Sequence, residues 1–324
     1  MSLQITRAGL LDTVQDLGRY GYQHLGINPG GAIDRFAAAL ANALLGKDLQ
    51  GPVIELHFPA AEIRFQQPAI ICLAGANFSP CINGTSVPLH QPIAIEKDVT
   101  ISFTRKVSGA RCYLSIYNEL ELAPWLNSYS TNLTAVAGGF KGIKLLRGDV
   151  ISFSDLDMRL KKDFGILPWQ YKAEQVHTNV VDVIAGPEWD WLTEESKASF
   201  TKNRFTILPA SDRMGYRLQG ESLAQEKKEQ LLSSGVGFGM VQLLPNGQVV
   251  VLMADHQTTG GYPRIASIIS AHLPRLAQRG AGESLQFAFT TTNKAEAKWV
   301  RLQKSLYDLQ NTCKLKLQNW RNAH

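Results

Sequence analysis

The chain has 324 residues, 44% of them hydrophobic and 19% charged, with a net charge of +5. At roughly 100 to 200 residues per domain, that length points to two domains, and the apolar content excludes a disordered or fibrous protein. Apart from the tail KLKLQNWR and pairs such as Lys161-Lys162 and Lys227-Lys228, the basic residues are scattered, which disfavours a nucleic-acid partner but suits a small anion drawn into a cleft.

The first residues, MSLQITRAGLLDTVQDLGR, carry charges where an export signal needs an apolar stretch. No run reaches the roughly 20 apolar residues of a spanning helix, so a cytoplasmic protein outside the membrane is expected. Four cysteines without a CxxC pair fit a reducing compartment. Cys72 and Cys112 lie in the apolar strings IICLAGA and CYLSIY, where burial raises a thiol pKa and suppresses reactivity.

In chain order, the first strong element is AIDRFAAALANALLG, in which Phe36, Leu40 and Leu44 recur every fourth residue and Gly46 suits a C-terminal cap. That spacing predicts a helix over 33–45. Short strands follow between Gly, Pro and Asn turns: VIELHF, EIRF, AIICLAG, VTISF, CYLSIY and DVISF, then VDVIAG, FTILP, QVVVLMA and SLQFAF. Asn-Gly in CINGTSV and in LLPNGQVVVL predicts two hairpins. Pro263 in a first helical turn predicts a second helix over 263–273, ended by Pro274. Trp299, Leu302, Leu306 and Leu309 at helical spacing predict a terminal amphipathic helix.

An internal echo bears on domain organisation. QITRAGLLDTVQDLGRYGYQHLG returns as VDVIAGPEWDWL followed by FTILPASDRMGYRLQG, each giving a strand, a glycine turn and an Asp/Arg/Gly/Tyr cluster. The pattern predicts a mainly β protein with a few helices. A first β-barrel module occupies 1–178, a second 179–292, and the terminal helix 293–324.

Standard catalytic signatures are missing. There is no GxxxxGK[ST] phosphate loop, no HExxH and no GxSxG elbow, while GVGFGM lacks the strand–helix setting of a dinucleotide fingerprint. SSGVG lacks the context of an amidase serine, and His24, His57, His90 and His177 read as structural or surface residues. Two Gly-Gly segments, NPGGAID and TTGGYPRI, each run a loop towards a predicted helix, whose N-terminal N–H groups and dipole favour an anion. Simple capping, with Asp34 and the threonines as caps, accounts for them equally well. The clusters DLGRYGY and SDRMGYRL likewise suit either an Arg that clamps a carboxylate or one that pins its own turn. Asp34, Asp255 and Tyr262 are the candidate proton-handling groups beside the Gly-Gly loops.

Taken together, TVQDLGRYGYQHLG, GGAIDRFAAALANALLG, GGFKG with RGDVISF, SDRMGYRL, and MADHQTTGGYP with LAQ…GESLQF resemble the allophanate hydrolase subunit 2 family. This family is also called the biotin-dependent carboxyltransferase A and B subdomains, and the likeness runs from about residue 3 to residue 290. Departures include His272 where an Asp is usual and Ala281 where a Pro is usual; LLRGDV also lacks a customary Gly or Pro. The resemblance implies two cyclophilin-like β-barrel domains plus a C-terminal helix. It also implies a partner of the companion subunit 1 family (KipI-like), and chemistry in which ATP or carboxybiotin activates an amide or urea-like substrate.

The missing amidase serine and Met-Lys-Met biotinyl site narrow that family's activities. They favour a subunit of an ATP-dependent 5-oxoprolinase, working with the subunit 1 protein and a LamB/YcsF-type subunit, with no covalent biotin on this chain. A regulatory antagonist of a kinase inhibitor and a carboxyltransferase component of a urea carboxylase-like system are the alternatives. In this reading Arg19 or Arg213 clamps an anion, Asp16 belongs to the substrate-binding set, and Thr258, Thr259, Gly260 and Gly261 contact an oxyanion or phosphate. Asp34 or Asp255 transfers a proton, and Gln257 and Tyr262 orient the substrate. ATP sits here or on a partner, and no metal ligand set is apparent.

Overall fold

The structure is a computed structural model that describes residues 2–172, 178–227, 229 and 231–323, with only the backbone of residue 323. His177 and Lys228 lie outside the described residues. The chain divides into two compact units: Met1–Arg19, Asp34–Glu174 and Gln303–His324 form the first, and Tyr20–Ile33 with Gln175–Leu302 the second.

In the first unit, two six-stranded sheets enclose an apolar core. One runs in the order Val150–Ser152, Ser2–Arg7, Glu62–Phe65, Val99–Phe103, Pro80–Ile82, Thr85–Ser86. The other runs Phe164–Ile166, Ile93–Ile95, Ala69–Asn77, Ser108–Ile116, Val53–Leu56, Thr13–Gln15. Leu3, Ile5, Ile63 and Phe65 from the first sheet meet Ile54, Leu56, Ile71 and Leu114 from the second.

The strand Val53–Leu56 is buried on both faces, because helix α1 (Arg35–Leu44) packs across the sheet's outer side. Asp34 caps α1 by accepting from the Ala37 N–H at 2.9 Å, and Gly46, at φ 63°, turns the chain out of it. Beneath the helix Asn42 accepts from Ser115 Oγ at 2.5 Å and donates to the Gly51 carbonyl at 2.8 Å. Each buried leucine of α1, Leu40 and Leu44, contributes roughly 2 kcal/mol by leaving water. Leu40→Ala or Leu44→Ala would remove that contact and leave a cavity.

The second unit is a closed seven-stranded barrel in the order Val180–Ala185, Arg264–Ile268, Met240–Leu243, Val249–Leu252, Gly215–Gln219, Phe205–Ile207, Ser284–Phe289. Val180–Ala185 closes it by pairing in parallel with Ser284–Phe289. Alternating Val181, Val183, Val241, Leu243, Val249, Val251, Leu285 and Phe287 fill its core. Helix α2 (Glu194–Lys202), capped by Thr193, brings Phe200 onto Phe287 with ring centroids 4.6 Å apart.

Both Asn-Gly hairpins form. Asn83 and Gly84 take positive φ between paired strands, and Gly247 does so after Asn246. The helix expected over 263–273 does not form. Arg264–Ile268 is instead a barrel strand, paired on both sides, with the β-branched Ile265 and Ile268 buried. The helix α3 occupies only Leu273–Ala277, and Pro274 lies in its first turn, so the proline starts this helix rather than ending one. The terminal helix α4 spans Thr292–Ala323.

His272, which replaces the expected Asp, still supplies an acceptor: its Nδ1 takes the Asp182 backbone N–H at 2.9 Å. Burial and the cations Arg275 and Lys298 push the imidazole down to about 4, despite the opposing Asp182 carboxylate, which keeps Nδ1 free to accept at neutral pH.

Candidate functional site

The second unit brings together most of the residues singled out from sequence. Asp212 folds the turn before the strand Gly215–Gln219 by accepting from Met214 N at 2.8 Å and Gly215 N at 3.1 Å. That turn aims Arg213 inward. Its Nε and Nη2 donate to the two oxygens of Asp255 at 2.7 and 3.0 Å, and Nη2 also donates to the Gly31 carbonyl at 2.7 Å. Asn28 Nδ2 donates to the Asp255 carbonyl at 2.9 Å, and the Asp255 N–H reaches the Arg213 carbonyl at 2.8 Å. Arg213 therefore pins its own neighbourhood as a buried, bidentate pair. Both oxygens of Asp255 are engaged by a cation, which makes it an anchor more readily than a base.

From this anchor the chain runs through Gln257, Thr258, Thr259, Gly260, Gly261 and Tyr262 along the unit's surface. Thr259–Gly260 pairs with Ser234–Gly235 in a small sheet separate from the barrel, reinforced by Val236 N donating to the Thr258 carbonyl at 3.1 Å. Ser233 to Gly235 thus form a flap beside the loop. Gln257, Thr259 and Tyr262 are exposed, and no hydrogen bond to another described residue occupies their side-chain polar groups. This row of an amide and two hydroxyls is the uncommitted chemistry of the segment.

Gln242, on a barrel strand and 2% exposed, lies beneath the loop. A Cβ at residue 260 would stand 2.8 Å from its Nε2, so glycine there lets the loop approach the Gln242 amide without displacing it. Neither Gln242 nor Asn28 stood out in the sequence. The hairpin LLPNGQVVVL fixed the strand carrying Gln242, but its opposition to Gly260 depends on a barrel closed by distant strands.

The remaining candidates belong to the first unit. Asp16 is buried and accepts from Gly18 N at 2.8 Å, Ser128 Oγ at 2.8 Å, Tyr129 N at 2.6 Å and Ser130 Oγ. Arg19, 1% exposed, donates to the carbonyls of Ser130 at 2.7 Å and Trp125 at 3.2 Å and stacks over the Trp125 ring at 4.2 Å. These two residues tie down one loop. Gly138 and Gly139 close against its other side, where a Cβ would meet the Ser130 carbonyl at 2.3 Å and Thr131 Oγ1 at 1.9 Å. The N–H of Asp34 receives no anion: it donates to Tyr113 Oη at 2.8 Å, which in turn donates to Glu55 at 2.7 Å.

Asp12 is a buried acid that sequence reasoning passed over. It accepts from His57 N at 2.7 Å and Ala61 N at 2.6 Å, yet burial, chiefly, pushes its carboxyl up to about 7. Cys72 and Cys112 are buried, and burial drives both thiols well up. No cluster of three or more metal-ligating side chains occurs among the described residues.

Neither Gly-Gly segment fits a triphosphate. The carboxylate of Asp34 already fills the first turn of α1, and TTGGYPRI leads into a strand, where no helix dipole is available.

A seven-stranded barrel and a two-sheet unit, each with a glycine-bearing polar loop, make up the architecture of a carboxyltransferase-type fold. The chain belongs to the family described as carboxyltransferase domain, subdomain A and B, whose signature matches residues 25–289. It is 34% identical over 283 residues to the 5-oxoprolinase subunit lettered C of Haemophilus influenzae, covering 87% of this chain and 89% of that one. The Escherichia coli protein of the same name is 33% identical, covering 90% and 93% respectively. The crystal structure of K. lactis urea amidolyase superimposes with a TM-score of 0.87 at 22% identity, over 95% of this chain and 20% of that much longer one. That likeness concerns the fold.

Proposed function

We propose that this chain is a subunit of an ATP-dependent 5-oxoprolinase that opens 5-oxoproline to L-glutamate with partner subunits. The observation that carries this reading is the similarity to the two bacterial 5-oxoprolinase subunits, at 34% and 33% identity over 87% and 90% of this chain. A lactam is a poor electrophile, so its hydrolysis benefits from coupling to ATP. Because neither Gly-Gly segment of this chain suits a phosphate chain, ATP is assigned to a partner subunit, and no step on this chain passes through it.

The work left to this chain is binding and orientation. The amide of Gln257 and the hydroxyls of Thr259 and Tyr262 offer donors and acceptors for a small amide bearing a carboxylate. The Arg213–Asp255 pair and Gln242 hold that row in place from below. Preorganised groups of this kind accelerate a reaction by positioning rather than by covalent chemistry.

The test is to co-express this chain with a subunit 1 protein and a LamB/YcsF-type subunit and to measure ADP release dependent on 5-oxoproline. Turnover by the full set, lost when this chain is omitted, is expected. An assembled complex with no turnover overturns the reading. Within an active complex, Thr259→Ala with Tyr262→Phe is expected to lower kcat/KM by roughly tenfold per lost hydrogen bond.

A further inference from the structure

Along the barrel strand Met240–Leu243, Val241 and Leu243 point into the core and Gln242 points to the outer face. The register to the neighbouring strand Arg264–Ile268 shifts at this residue, a bulge of the kind that re-aims a side chain. Its cross-strand neighbours are Val250, which has no polar side-chain atom, and Arg264, whose Nε and Nη2 donate to Glu188 at 2.9 and 2.7 Å. Neither hydrogen-bonds the Gln242 amide. The residue is nonetheless 2% exposed, and its side chain's only hydrogen bond to a described residue, from Nε2 to the Tyr262 carbonyl, is 3.5 Å long. A bond of that length contributes little, so a primary amide is buried with most of its capacity unspent. That arrangement is costly unless something else completes it.

The loop Gln257–Tyr262 lies over this amide. A Cβ on Gly260 would stand 2.8 Å from Gln242 Nε2 and 3.4 Å from both Gln257 Nε2 and Val236 Cγ1, at the end of the flap. The buried amide, the exposed amide of Gln257 and the flap thus converge on one glycine, which keeps a side chain out of the space between them. A Cβ on Gly261 would come within 3.6 Å of Ser233 Oγ, on the same flap.

We propose that Gln242 recognises the ring amide of the substrate and so sets specificity for a lactam, an inference that rests on the 5-oxoproline reading above. In a five-membered lactam the ring forces the N–H and C=O onto the same side of the amide bond. A primary amide presents the matching pair, one acceptor beside one donor. Oε1 accepts the lactam N–H while Nε2 donates to the lactam carbonyl, which closes two parallel hydrogen bonds. An open-chain secondary amide is trans and offers only one of them at a time. Ring opening turns the amide into a carboxylate and a separate ammonium, so the side-by-side pair is gone. The same contact therefore favours substrate over product.

The reconstituted complex tests this through ligand and variant together. The probes are 5-oxoproline and its oxygen analogue 5-oxotetrahydrofuran-2-carboxylate, a lactone without the ring N–H, with the Kd of each measured by calorimetry. The parent complex is expected to bind the lactam roughly tenfold more tightly than the lactone. Gln242→Met, similar in length and unable to pair, should erase that preference by weakening the lactam alone, and Gln242→Asn should keep part of it. A merely supporting role for Gln242 predicts equal weakening of both rings. Gly260→Ala leaves the barrel strand untouched and crowds the amide from the loop side. It should lower the preference too, and it decides the question where Gln242→Met does not assemble.

Equal losses for lactam and lactone, or a parent complex that binds both alike, overturn the proposal, and continued turnover of 5-oxoproline then leaves the oxoprolinase reading in place. A preference for the lactam that depends on Gln242, in a complex without turnover, leaves the recognition standing and removes the hydrolase reading. An assembled complex that binds neither ring removes both.

Discussion

Arg213 and Asp255 were candidates for a clamp and a base, and they spend their hydrogen-bonding capacity largely on each other. Removing one partner leaves the other charge poorly compensated, so Asp255→Ala is expected to cost about 3 kcal/mol of stability, measurable by urea denaturation. Gly260→Val makes a complementary case, because its side chain must displace the Gln242 amide. Loss of turnover with intact secondary structure is expected, partly restored by adding Gln242→Ala.

Two buried titrating groups give the units opposite pH responses. His272 stays neutral in the folded chain down to about pH 4, whereas an unfolded imidazole takes a proton near 6.5. The His272 contribution to the second unit's stability is therefore fully present above 6.5 and falls as pH drops towards 4. Asp12 is the reverse case, holding its proton in the folded state up to about pH 7 against 3.8 when free. The Asp12 contribution to the first unit's stability is fullest below 3.8 and declines as pH rises to 7. Hydrogen exchange on peptides from each unit between pH 4 and 6.5 should show these trends running in opposite directions. Parallel trends would contradict both assignments.

Among elements, legibility in the sequence followed how local the determinants are. Helix α1 carries its own cap, alanine-rich body and closing glycine within one stretch, and Asp34→Ala should lower stability by about 1 kcal/mol in thermal melts. The Asn-Gly hairpins are equally self-contained. The segment RIASIIS reads as a helix because Pro263 precedes it and its isoleucines suit a buried face of either kind. Strands from elsewhere in the barrel decide the outcome, and β-branched Ile265 and Ile268 settle into the ladder. The loop Gln257–Tyr262 was recognisable from its residue types. The flap paired with it was not, since Gly235 and Thr259 meet only through a register set across the intervening barrel strands.

At the scale of the whole chain, the sequence announced a β-rich protein with a terminal helix. The order of segments in each unit was hidden. Residues 20–33 group with the second unit although they precede nearly all of the first, and 303–324 return to the first. A composition-based division is linear and has no means to register such exchanges. A fragment comprising residues 1–178 is accordingly expected to be insoluble or molten, as judged by near-UV circular dichroism. Adding 303–324 in trans should improve it.

That arrangement also has a consequence for biogenesis. Leu306, Cys313 and Leu317 are buried and belong to the first unit, so the apolar contact they make stays open while the ribosome makes the barrel that precedes them in the message. Residues 303–324 leave the exit tunnel after the barrel. During much of translation the unit that begins first is the one still lacking a helix, that surface exposed to chaperones and proteases until α4 arrives.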